Sequence, residues 1–127
     1  MKRILTILAA IVCLCGCEKI FTPMSVTLSA DGGTVTVHTS IQPESLDILN
    51  YDGEGVKGPE YDEDTETYTI TNDWLTASIA KSSYDSGTDQ YELVLTAIKN
   101  TTGKRRILYV GGMDKDYADS MEVTQEN

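Results

Sequence analysis

Oxygen atoms and aromatic rings carry what chemistry this chain offers. It has 20 Asp and Glu, seven Tyr, one Trp and one His in 127 residues. Flat aromatic faces stack on the C–H face of a pyranose, and planar polar groups take its hydroxyls. Tyr51, Tyr61, Tyr84 and Tyr117 fall in turn-rich stretches and are expected at the surface, while Tyr68, Tyr91 and Tyr109 fall in strand-like runs and are expected in the core. Trp74 precedes the apolar series Leu75, Ala77, Ile79. Strict alternation points it outward, whereas a bulge at the strand start turns it inward as a packing residue. The candidate carbohydrate-binding residues are Tyr51, Tyr61, Trp74 and Tyr84, with Tyr51 or Tyr61 beside neighbouring carboxylates leading the set. The alternative is that these tyrosines only pin down loops.

Other chemistries have weaker support. The close carboxylates of Tyr61–Glu66 (YDEDTE), like Asp114, Asp116 and Asp119, are the hard ligands calcium takes. No Asp-x-Asp-x-Asp-Gly loop is present, so no metal and no other cofactor is expected. Paired carboxylates can hydrolyse glycosides, but any acidic chain offers such pairs and a small domain has little room for a cleft. His38 lies on the polar side of an early run with no partner visible in sequence. The expectation is a protein that is not an enzyme.

The elements that must position these residues are strands. From Ser25 onward the pattern has period two, with turn residues between short runs. Val26 and Leu28 alternate with small polar residues. Asp31-Gly32-Gly33 is a turn, and Val35 and Val37 follow, so a hairpin is expected there. Further runs are Ser45 to Asn50, Thr67 to Thr71, Leu75 to Ile79, Tyr91 to Thr96, Ile107 to Val110 and Met121 to Thr124. Asn100-Thr101-Thr102-Gly103 makes a tight reversal. Residues 52–66 are rich in Gly and acids and form an exposed loop or a ragged hairpin. No helical period is sustained. The fold class is all-β, with seven to eight strands whose alternating patterns suit two opposed sheets packed as a sandwich.

The start of the chain is different in kind. Lys2 and Arg3 precede an apolar run from Ile4 to Leu14, the build of a secretory signal peptide, too short for a spanning helix. All three cysteines, Cys13, Cys15 and Cys17, sit at its end. Leu14-Cys15-Gly16-Cys17 resembles the lipobox of bacterial lipoproteins. The resemblance implies residues 1–16 as signal peptide, lipidation of Cys17, and residues 17–24 as a tether to a domain over 25–127. Acyl chains on Cys17 would anchor the protein to a membrane. Such processing would remove Cys13 and Cys15 with the signal and leave no free thiol for disulfides or catalysis. The exported chain keeps eight basic against 20 acidic residues. Such a surface repels nucleic acid and anionic membranes and favours neutral glycans, cations or basic protein surfaces.

Three passages and a closing strand follow in order: SADGGTVTV, NDWLTASI, KNTTGKRRILYV and EVTQ. Together they resemble the BACON domain (Bacteroidetes-associated carbohydrate-binding, often N-terminal) over about Ser25 to Gln125. The resemblance implies an immunoglobulin-like sandwich, an outer-membrane setting and a glycan partner. The chain departs from the family between its early Val strand and Trp74, where the family has a short link and this chain a long acidic one. The second functional reading is a structural spacer or adhesion module, meeting a protein partner through the acidic loop 52–66.

Overall fold

The computed structural model describes residues 20–56 and 58–127. The eight alternating runs are all strands, and two short strands join them. In chain order they are β1 (Phe21–Thr22), β2 (Ser25–Leu28), β3 (Gly33–Thr39), β4 (Asp47–Leu49), β5 (Glu60–Asp62), β6 (Thr67–Asn72), β7 (Leu75–Ala80), β8 (Tyr91–Ala97), β9 (Arg106–Asp114) and β10 (Tyr117–Gln125). Two sheets form. One has six strands in the order β1-β3-β8-β7-β6-β5, the other four in the order β2-β10-β9-β4. All pairings are antiparallel except β2 with β10. No described helix is long and apolar enough to cross a membrane.

Alternation decides what faces inward, because successive strand residues point to opposite faces. Leu75, Ala77, Ile79, Leu93 and Leu95 from the large sheet meet Ile48, Val110, Met121 and Val123 from the small one, all fully buried. Each fully buried aliphatic of this size contributes about 1.5–3 kcal/mol of burial free energy. Phe21 is also fully buried, and β1 pairs with the end of β3. The sandwich therefore begins four residues before the expected boundary at 25. A two-residue strand is too short to show alternation, which is why the sequence hid it.

Two local expectations are corrected. Asp31-Gly32-Gly33 does not close a hairpin between β2 and β3. It carries the chain from the small sheet to the large one, since β2 pairs with β10 and β3 with β1 and β8. Gly32 is required there: its φ is +89°, and a Cβ would sit 2.6 Å from the Ala97 carbonyl oxygen. The Asn100–Gly103 turn likewise crosses between sheets, from β8 to β9. Gly103 takes positive φ, but Asn100 does not; it serves through its side chain. Asn100 Nδ2 donates to the carbonyls of Lys104 (2.7 Å) and Glu126 (2.9 Å), and its Oδ1 accepts from the Thr102 amide and hydroxyl.

The sandwich has two distinct ends. Phe21, Thr39 and Tyr91 are paired in one row at the N-terminal end. Gly33, Ala97, Leu75 and Asn72 form the corresponding row at the far end, where Gln125 also lies.

Candidate functional site

The outer face of the small sheet presents the most exposed aromatic ring of the set. Leu108 and Val110 point into the core, so Ile107, Tyr109, Gly111 and Met113 point outward along β9. Tyr109 is half-buried, and its neighbour across the ladder on β10 is Glu122. On the other side β4 brings Leu49 alongside Tyr109. At Gly111 a Cβ would meet Leu49 Cδ1 at an ordinary 3.5 Å and the Asp119 carbonyl oxygen at a tighter 3.2 Å.

The loop after β4 then places Tyr51. Asn50 shapes it: its Oδ1 accepts from the Asp52 and Glu54 amides, and its own amide donates to the Glu54 carbonyl. Asp47 Oδ1 accepts from the Val56 amide and draws the loop back to the sheet. Tyr51 is left 87% exposed. Leu49, Asn50, Tyr51, Gly53, Tyr109 and Ser120 line a depression of about 230 Å³. Tyr109, expected in the core, is thus part of a surface platform. The apolar run Ile107–Val110 concealed this, because four apolar residues in a row do not say which alternate pair faces out.

The other candidate residues lie elsewhere. Tyr61 pairs across β5 and β6 with Tyr68, ring centroids 4.6 Å apart, and Lys81 Nζ sits 5.1 Å from the Tyr61 centroid. Tyr61 first, then Tyr68, raise the Lys81 pKa above the ordinary lysine value. Tyr84 packs on Tyr91 at 5.0 Å and donates its hydroxyl to Asp89. That hydrogen bond is the main cause that holds the Tyr84 phenol above its usual pKa. Both pairs are at the N-terminal end, away from Tyr51.

Trp74 is 3% exposed and leaves the set of accessible rings. It belongs to the two-residue turn between β6 and β7, where Asp73 takes φ +55°, so strand alternation does not govern it. Cys17 lies outside the described residues. His38 is exposed on β3, opposite Glu92. The acidic stretch divides into an exposed loop and the β5–β6 hairpin. Among the described residues no three His, Cys, Asp or Glu are grouped so as to hold a metal ion.

A larger groove of about 790 Å³ opens at the N-terminal end, lined in part by Asp89, Asp114, Asp119, Lys115 and Tyr117. Its carboxylates are engaged by the protein. Asp89 accepts from Tyr84, Asp114 Oδ2 accepts from the Ser40 hydroxyl at 2.7 Å, and Asp119 Oδ1 from the Ser120 amide at 2.8 Å.

No family model matches the chain, and no curated protein does. Among solved structures it is similar to a Bacteroides ovatus GH5 xyloglucanase in complex with a XXXG heptasaccharide. Identity is 15% and the TM-score 0.47, over 81% of this chain and 17% of that one. The chain therefore spans about a sixth of that structure's length. A likeness this distant assigns neither family nor activity.

Chemically, the platform joins an exposed phenol ring to a half-buried one over aliphatic carbon, with Ser120 and Glu122 at its border. That combination offers stacking for apolar sugar faces and acceptors for hydroxyls.

Proposed function

We propose that this domain is a non-catalytic glycan-binding module of BACON type, held at the outer membrane by lipid on Cys17. The observation that carries the reading is Tyr51, 87% exposed on a hydrogen-bonded loop beside Tyr109 and Leu49. An aromatic ring exposed beside a second ring and aliphatic carbon offers a stacking face for a sugar. The three groove carboxylates each accept a hydrogen bond from within the protein, which suits structure better than acid–base work.

The test is electrophoresis of the soluble domain through native gels cast with neutral polysaccharides or mucin. Retardation that Tyr51→Ala abolishes and Tyr61→Ala does not supports the platform. Unretarded migration in every gel overturns the reading.

A spacer role is favoured by a separate observation. The chain enters at the end where Phe21 pairs with Thr39, and Gln125 lies at the opposite end. The sandwich length therefore separates the entry point from the C-terminal residues. This reading predicts no retardation at all.

A further inference from the structure

The outer face of β9 is more than the wall of one depression. Ile107 is 40% exposed and Met113 37%, and both share the face of Tyr109 by alternation. Ile107, Tyr109 and Met113 thus form an apolar row down one strand. At about 3.4 Å per residue in an antiparallel strand, the six steps from Ile107 to Met113 span roughly 20 Å. Polar residues border the row on both sides: Ser120 and Glu122 from β10, and Asp47 from β4, which pairs opposite Gly111. Outward positions of β4, β9 and β10 from Ile107 to Met113 carry carboxylates and no Lys or Arg.

We infer that the glycan lies along β9, over Ile107, Tyr109 and Met113 in turn, so that the site takes an interior stretch of an extended uncharged chain. The inference rests on the glycan reading above and adds direction and substrate class to it. Both end residues of the row are exposed, so a chain can run on past either one, as a chain terminus held in a closed pocket cannot. The bordering Glu122 accepts from sugar hydroxyls, while Asp47, whose Oδ1 is held by the Ile48 and Val56 amides, adds its negative charge. The same charges repel uronate, sulfate or sialate groups, since like charges at short range are unfavourable across an interface.

The experiment uses the exported domain with a neutral polysaccharide that retards it, an oligosaccharide series cut from that polymer, and its carboxymethylated derivative. Ile107→Ser and Met113→Ser both lie outside the Tyr51 loop. Each is expected to weaken binding roughly three- to tenfold, the loss that follows from removing partial apolar contact. Affinity is expected to rise with oligosaccharide length until the chain covers the row, and to fall on carboxymethylation.

The outcomes separate the two claims. If wild type binds and Tyr51→Ala abolishes binding while both serine variants bind as wild type, the platform stands and the row is overturned. Equal binding of the neutral and carboxymethylated polymers overturns the substrate class. Sedimentation showing a dimer that Ile107→Ser dissociates gives the row to a second copy of this chain and overturns the inference. Failure of wild type to bind any polymer defeats the glycan reading itself.

Discussion

Arg106 covers the face of Trp74. Its guanidinium carbon lies 4.9 Å from the ring centroid, while its Nε donates to Gln125 Oε1 at 2.9 Å. Gln125 is fully buried and donates from Nε2 to the carbonyls of Ser29 (3.0 Å) and Ile98 (2.7 Å). The three side chains therefore tie the hairpin turn of the large sheet to the last strand of the small one. A ligand cannot reach the Trp74 ring, because protein already occupies its face.

Arg106→Lys keeps the charge but loses the planar cation and the directed Nε donor, leaving Gln125 Oε1 unpartnered. The expected cost is about 1–3 kcal/mol. Trp74 is the sole tryptophan, so denaturant unfolding followed by its fluorescence reads this directly. A variant as stable as wild type, with unchanged emission, would show that the stack does not support the fold.

Asn100→Ala removes four hydrogen bonds from a residue only 8% exposed, two given and two received. The carbonyls of Lys104 and Glu126 lose a donor. The expected loss is about 2–4 kcal/mol, from buried groups left unsatisfied. Thermal unfolding is the measurement. Asn100→Asp should cost nearly as much, since it keeps the acceptor and loses the donor.

Gly32→Ala should be among the costliest single changes at a surface turn. A left-handed φ costs a non-glycine residue roughly 1–2 kcal/mol before any clash. The Cβ would also press on the Ala97 carbonyl oxygen at 2.6 Å. Gly53→Ala serves as a control, because its φ is also positive (+79°) but no atom lies within 4 Å of its Cβ. Equal melting temperatures for the two variants would remove the clash from the account.

Tyr84 supplies a prediction about pH. Its hydrogen bond to Asp89 favours the neutral phenol and raises the pKa. A group with a raised folded pKa contributes stability that is fully present below its unfolded value, about 10 for tyrosine. That contribution disappears as pH climbs through the folded value. Ultraviolet difference titration of wild type against Tyr84→Phe isolates this phenol, and Asp89→Asn should bring its titration back toward the ordinary range. An identical curve in Asp89→Asn would exclude the hydrogen bond as the cause.

Much of the fold was legible in the chain because alternation is local. Leu75, Ala77 and Ile79, or Leu93 and Leu95, announce both a strand and its inward face without reference to any partner. Tyr51 could be placed at the surface from its turn-rich neighbours, and the all-β class follows from the repeated runs. Alternation does not encode which strand pairs with which. The short sequence distance from β2 to β3 suggested a hairpin, yet β2 pairs in parallel with β10, and Gly32 makes the crossing between sheets possible. Trp74 was undecided because it sits in a turn, where period two has no force. Tyr109 was hidden in a run of four apolar residues, and only the packing of Leu108 and Val110 against the opposite sheet sends it outward. That Tyr51 and Tyr109 border one depression depends on pairing β4 with β9, a contact between segments far apart in the chain. Residue type determined what each side chain can do; long-range strand pairing decided which of them stand together.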